Sequence, residues 1–186
     1  MMDSINNILK DLVHSRDEST GGHSERTAGY VKTLINAMLD KNVYAEELRQ
    51  LDIESVFLAA QLHDLGKIAI PDSVLLKEGE LTGEELEVFK SHAAAGERII
   101  SEIAAQTKEL ALFDYAKVIT ACHHERWDGA GYPLGLKGEE IPLLARIAAV
   151  ADVYDYINDV ALMRAESGKA FDPVILDVFL SSSNLR

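Results

Sequence analysis

The chain is poor in thiols, with one cysteine, Cys122, among 186 residues. That excludes an intrachain disulfide framework and a cysteine-based zinc module. It contains no apolar run long enough for a membrane span, and its opening, MMDSINNILKD, lacks the unbroken apolar stretch of a secretory signal. A cytoplasmic location, away from membranes, is the expectation. Positive charge is scarce: 18 Lys and Arg face 31 Asp and Glu, a formal charge of −13. Such a surface argues against binding the phosphates of a nucleic-acid polymer. Period-two alternation, internal repeats and low-complexity runs are absent as well, so no strand and no repeat architecture is expected.

What is present is helical periodicity in a chain of single-domain length, with 47% hydrophobic and 26% charged residues. Ile5, Ile8, Leu9, Leu12 and Val13 share one helical face; Tyr30, Val31, Leu34, Ile35, Met38 and Leu39 share another. Gly21-Gly22 separates them and places the second helix near His23. A third helix fits residues 46–63, with Gly66 as its stop. IAIPDSVLLKEGE reads as loop and short turn, and Thr82-x-x-Glu85 is a capping box opening a helix toward His92. Further helices fit 93–105, 110–122 and 143–159, and Asp172-Pro173 supplies an N-cap and first position for the last. Residues 125–142 hold Gly129, Gly131, Gly135 and Gly138 with Pro133 and Pro142, a long structured loop. The expected fold is all-α, a compact multi-helix bundle with a long glycine-rich loop.

The chemistry-bearing residues gather at helix ends. His63-Asp64 closes one apolar segment just before Leu65-Gly66-Lys67, and His123-His124 closes another before the glycine loop. His23 and His92 lie near helix starts. Asp152 sits inside IAAVADVYDY, where a buried carboxylate needs a partner or a metal. One histidine at a helix end is more often a cap or a surface residue, and His14 is read that way. Five of six histidines converging on two polar loops point instead to a metal site. Imidazole and carboxylate ligands suit iron, manganese, zinc or nickel. Cys122 is expected to pack in the core.

His63-Asp64-x-x-Lys67, followed by HHERWDGAGYPLGLKGEEIP over 123–142, resembles the HD-GYP group of HD-domain metal-dependent phosphohydrolases. Gly131-Tyr132-Pro133 is the triplet that names the group. The resemblance runs over about 20–160 and resumes in SGKAFDP at 167–173. It implies a domain over 19–186 with a shortened C-terminal region, preceded by an N-terminal helix over 1–18 serving as linker or dimerisation stub. It also implies bacterial signalling chemistry, the hydrolysis of cyclic di-GMP to linear pGpG or GMP, with a homodimer or a regulatory domain as partner.

Carried across residue by residue, the resemblance makes His23, His63, Asp64, His92, His123, His124 and Asp152 metal ligands, Asp64 bridging two ions. Asp64 and Lys67 become the catalytic pair, Lys67 contacting the scissile phosphate; Tyr132, Asp155 and Arg164 become substrate contacts. Some members carry a glutamate four residues before the first histidine, supporting a third ion. Ser19 stands there, so two divalent ions are expected, iron first, with manganese, zinc or nickel also suited. Two such ions would add +4 inside the site and let an acidic protein receive a small anionic dinucleotide.

The sequence departs from the group after Asp152. Its usual Asp-x-Leu-Thr-Ser and Arg-Pro-Tyr-Lys/Arg elements are replaced by Asp155, Ile157 and Asn158, then Ala161-Leu162-Met163-Arg164. Only Arg164 matches the basic end, and Glu166-Ser167-Gly168 follows where the group inserts most of another helix. Two other readings therefore stand beside the phosphodiesterase: a catalytically impaired dinucleotide-binding or protein-interaction module, and a phosphohydrolase of another nucleotide. Arg126 and Lys137 are candidates to draw phosphate, and Trp127 to pin the loop to the core.

Overall fold

Apolar positions spaced three and four apart become helix wherever the sequence offers them. The computed structural model describes residues 8–9, 11–13, 15–16, 22–107 and 110–182. Among these the fold is all-α, and the sole extended pairing is an isolated bridge between Ser167 and Phe171. Helix α1 (His23–Asp40) buries Thr27, Ala28, Val31, Leu34, Ile35 and Met38 on one face.

The single helix expected over 46–63 is instead two, α2 (Ala45–Leu48) and α3 (Ile53–Ala60). They part at Asp52, whose backbone is extended and whose carboxylate accepts from the Ser55 hydroxyl at 2.6 Å. Residues 61–64 then wind as turns into a 3-10 helix, Leu65–Ala69, so His63 and Asp64 are carried by a turn.

After α4 (Asp72–Leu75) comes α5 (Gly83–Lys90), opened by the expected capping box: the Glu85 N–H donates to Thr82 Oγ1 and the Thr82 N–H to the Glu85 carboxylate. Helices α6 (His92–Gln106), α7 (Leu110–Cys122) and α8 (Leu143–Ile157) follow. Helix α8 stops two residues before the expected 159, because Asn158 turns left-handed (φ 46) and Asp159 caps a further short helix, α9 (Val160–Ala165). The Asp172 carboxylate caps α10 (Pro173–Ser181) by accepting from Val174 and Ile175 N–H.

Helix α8 is buried around its circumference from Leu143 to Ala151, apolar there but for Arg146, whose buried charge is paired with Asp172. It packs against α1, α7 and α10, and α3 joins the same core by packing on α1 and α7. Of the N-terminal helix expected through residue 18, residues 8–9 and 11–13 are helical and Val13 is buried in the core. The Arg16 guanidinium donates to the Ile70 carbonyl at 3.0 Å and pairs with Asp72. Residues 1–7, 10, 14 and 17–21, Ser19 among them, lie outside the described residues. No helix among the described residues is long and apolar enough to cross a membrane.

Candidate metal centre

Five places in the chain converge on one point. His23 opens α1, His63-Asp64 sits in the turn after α3, His92 opens α6, His123-His124 follows α7, and Asp152 lies on α8. Two glycines permit the closest of these approaches. A Cβ on Gly66 would stand 1.8 Å from the His92 carbonyl oxygen and 2.5 Å from the Gly96 nitrogen; one on Gly96 would stand 2.4 Å from Thr120 Cγ2. The turn bearing Asp64 therefore lies directly against the first turn of α6, within reach of His92.

Three imidazoles are locked by backbone carbonyls. His63 Nδ1 donates to Ala60 at 2.9 Å, His92 Nδ1 to Phe89 at 2.8 Å, and His123 Nδ1 to Ile119 and Thr120 at 3.1 Å. A carbonyl only accepts, so each Nδ1 holds the proton and each Nε2 of the neutral ring offers a lone pair. The Nε2 atoms of His63 and His123 are buried without a hydrogen-bond partner. The donor atoms fall into two sets, Asp64, His92, His123 and His124 in one and His23, His63 and Asp152 in the other, each within 4.8 Å of its fellows. Asp64 spans the two. Its Oδ1 lies 3.5 Å from His92 Nε2 and its Oδ2 lies 3.4 Å from His63 Nε2. Asp152 Oδ1 lies 3.0 Å from His23 Nε2 and 3.5 Å from His63 Nε2.

Burial by itself would raise the Asp64 and Asp152 carboxyls. The imidazole of His63, joined by Lys67 for Asp64 and by His23 for Asp152, outweighs it and holds both below the usual carboxylate range. Burial also keeps His92, His123 and His124 neutral, His124 being pushed down to about 4 with His92 adding to the effect. At His63 burial is overcome by Asp64 and Asp152, which push it up to about 10. Ionised carboxylates beside the neutral imidazoles of His92, His123 and His124 are in the state that ligates metal, whereas an ion held by His23, His63 and Asp152 would take the place of the protons that the carboxylates favour on His63 and His23. Together with the two orphaned Nε2 atoms and the anchored Nδ1 atoms, this donor set fits divalent ions that accept nitrogen and oxygen.

The set opens into a cleft of about 440 Å³ walled by Arg26, Lys67, Phe89, Asp155, Tyr156 and Ile157. The Lys67 ammonium lies 2.7 Å from Asp64 Oδ2 and 5.9 Å from the centre of the Phe89 ring. Asp155, its side chain 4% exposed, accepts from His23 Nδ1 at 2.7 Å. Tyr132 stacks on His124, ring centres 4.7 Å apart, and lines a neighbouring hollow behind it, not the cleft itself. Burial, with the charges of Asp64 and Asp152, pushes its phenol well above the ordinary value. Gly131 makes this possible: a Cβ there would meet the Arg126 nitrogen at 2.3 Å.

Arg164 is not brought to the site. It is exposed on α9, whose axis departs after the left-handed Asn158, and it does not line the cleft. Arg126 and Lys137 do not line it either; Arg126 is engaged by Asp128 at 2.8 Å and Glu166 at 3.2 Å, and Lys137 is exposed. Trp127 does pin the loop, its N–H donating to the Ala170 carbonyl at 3.2 Å and its ring lying 5.8 Å from the Arg146 guanidinium. Cys122 is buried, its thiol pushed up to about 11 by that burial, and it belongs to neither donor set.

Two residues of the site escaped the sequence reading. Arg26 binds Asp155 through Nε at 2.8 Å and Nη2 at 2.9 Å; its signal is the three-residue step from His23 along one helix face. Glu125, 3% exposed, accepts from the N–H groups of Leu134 at 2.6 Å and Leu136 at 3.0 Å, drawing the glycine loop closed. Its signal is a lone acid between the paired histidines and the loop.

A family profile described as the HD domain matches residues 7–174. A protein of Vibrio cholerae named cyclic di-GMP phosphodiesterase is 40% identical over 93% of this chain and 38% of its own length. Another from the same organism, named 3'3'-cGAMP-specific phosphodiesterase 2, is 34% identical over 92% of this chain and 33% of its own. The chain spans less than half the length of the curated relatives it matches first. A solved structure described as a cyclic GMP-AMP specific phosphodiesterase of V. cholerae shares the fold with a TM-score of 0.57 at 20% identity, covering 97% of this chain and 51% of that one.

Proposed function

The chain belongs to the HD-domain family, and on that premise we propose that it is a metal-dependent phosphodiesterase hydrolysing cyclic di-GMP to pGpG, GMP or both in the cytoplasm. The observation that carries the reading is the convergence of five histidines and two aspartates into two adjoining donor sets, which reach one cleft through His23, Asp64, His124 and Asp152, with Lys67 on its wall.

Asp64, His92, His123 and His124 would hold one divalent ion and His23, His63 and Asp152 a second, with the Asp64 carboxylate reaching both. Iron suits these ligands, as do manganese, zinc and nickel. Bound together, two such ions supply an activated water and a clamp on the phosphodiester. The protein's own residues do the rest. The carbonyl-bound Nδ1 atoms hold the imidazoles in orientation, so no reorganisation is needed when substrate arrives. Lys67, fixed by Asp64, sets a cation where charge develops on the phosphoryl oxygens. Tyr132 backs His124 from behind.

The relative named for 3'3'-cGAMP supports a second reading, in which a mixed cyclic dinucleotide is the preferred substrate. Elemental analysis and turnover of cyclic di-GMP and 3'3'-cGAMP on one metal-loaded preparation test both. Two ions per chain and linear product from cyclic di-GMP are expected. Three ions would remove the two-ion assignment, preferred turnover of 3'3'-cGAMP would select the second substrate, and binding without any turnover would leave a non-catalytic module.

A further inference from the structure

Among the residues lining the cleft the cations are Lys67 and Arg26, and the mechanism above uses only the first. Arg26 stands one turn beyond His23 on α1, its side chain 55% exposed. A guanidinium carries five N–H donors in a planar fork. Asp155 engages the Nε donor and one on Nη2, which leaves Nη1 and the second Nη2 proton outside that pair. Gly22 makes room for Nη1: the backbone there is left-handed (φ +75), and a Cβ would lie 3.0 Å from Arg26 Nη1.

The same Asp155 carboxylate holds His23 at 2.7 Å and Arg26 at 2.8 Å, so one buried acid fixes the orientation of a candidate ligand and of a cleft cation together. A fork already held in place loses little side-chain freedom when it takes up an anion, and its planar edge matches two oxygens of a phosphate. Arg164, the remnant of the basic element expected after Asp152, lies away from the cleft, so a second substrate cation has to come from elsewhere.

We infer that Arg26 binds a phosphodiester of the substrate through the outer edge of its guanidinium, and that Asp155 is the positioning residue coupling Arg26 to His23. This rests on the phosphodiesterase reading. A cyclic dinucleotide carries two phosphodiesters: Lys67 serves the one above Asp64, and Arg26 serves the one toward the α1 side of the cleft.

The test compares wild type, Arg26→Gln, Arg26→Lys and Asp155→Asn as metal-loaded proteins. It reads metal content, melting temperature, kcat and KM with both cyclic di-GMP and bis(p-nitrophenyl) phosphate, a generic phosphodiester. For Arg26→Gln, KM for cyclic di-GMP rises about tenfold or more, the loss expected of a charge-assisted hydrogen bond, while kcat changes less than threefold and metal content holds. Arg26→Lys recovers part of that loss. Asp155→Asn raises KM similarly and also weakens metal retention by about 10–100-fold, as loss of a ligand's orienting partner does. A KM within twofold of wild type in Arg26→Gln overturns the inference, and so does metal loss in that variant equal to that of Asp155→Asn, which would make Arg26 a brace for His23 alone. If wild type cleaves the generic diester but not cyclic di-GMP, the cyclic di-GMP reading fails by itself; the generic diester has one phosphate and does not probe Arg26, so KM for 3'3'-cGAMP, which carries two, then decides it.

Discussion

The Nε2 atoms of His92 and His124 lie 3.1 Å apart. His92 Nδ1 already donates to the Phe89 carbonyl, so its Nε2 faces His124 with a lone pair and accepts from the His124 Nε2–H, and a metal ion would take the place of that one proton. Ligand atoms on a cation with bonds of about 2.1 Å stand about 3 Å apart, so the pair is spaced for an ion. Binding linkage then requires that metal stabilise the fold. At a free concentration a hundredfold above Kd the gain is about 2.7 kcal/mol. Scanning calorimetry with Mn²⁺ and with chelator reads it: the melting temperature falls on chelation and returns on adding metal, and equal values would remove the ion site.

His123 is held for ligation at a cost to the metal-free fold, since its buried Nε2 has no partner. Replacing it with phenylalanine keeps a ring and removes the unsatisfied nitrogen, a group whose burial costs about 1–3 kcal/mol. In chelator, urea unfolding of His123→Phe is expected to show a fold at least as stable as wild type, by about 1 kcal/mol, with turnover lost. A clear drop in stability would show that the histidine contributes more through its Nδ1 bonds than it forfeits at Nε2.

Two glycine-to-alanine changes should go opposite ways. Gly29 lies inside α1 with no atom within 4 Å of its Cβ position, so Gly29→Ala stabilises by about 0.5–1 kcal/mol. Gly66→Ala drives a methyl into the His92 carbonyl and separates Asp64 from His92. It is expected to destabilise by about 1–3 kcal/mol and to lower metal content below wild type. A Gly66→Ala protein with full metal content would mean that the contact does not set the site.

Arg146 is 7% exposed, donates to Asp172 at 2.7 Å and to the Ile141 carbonyl at 2.9 Å, and lies between the rings of Tyr44 and Trp127. Asp172→Ala strands that buried charge and removes the cap of α10, with an expected loss of about 3–5 kcal/mol in urea unfolding. Trp127 is the single tryptophan, so its fluorescence reports the loop directly. Its emission is expected to shift to the red before global unfolding in the variant; an unchanged spectrum and midpoint would show that the pair contributes nothing.

The helices were legible where a local signal was complete. Thr82 with Glu85 and Asp172 with Pro173 mark their starts by backbone donors that only those side chains satisfy, and α1 follows from its apolar spacing. The break at Asp52 was not legible, because the apolar spacing runs on through it and tertiary packing of α2 and α3 decides. Motif grouping gathered the seven ligand candidates, but their division into two sets depends on which ring faces which, a long-range property. Spacing from Asp152 also misjudged Arg164, since one left-handed residue, Asn158, redirects everything after it. Arg26 and Glu125 were missed because each acts through a partner far along the chain, Asp155 and the loop amides.

His23 and Asp155, joined by a 2.7 Å bond, stand 132 residues apart in sequence. Closing so large a loop is slow and entropically costly, so this half of the site is expected to be among the last features to form as the chain folds. During synthesis the ribosome delivers His63, Asp64, His92, His123 and His124 before Asp152 and Asp155 emerge. A nascent chain thus holds all four members of one donor set while the other is still two histidines without their aspartate, and no truncated product ending short of α8 can complete the second.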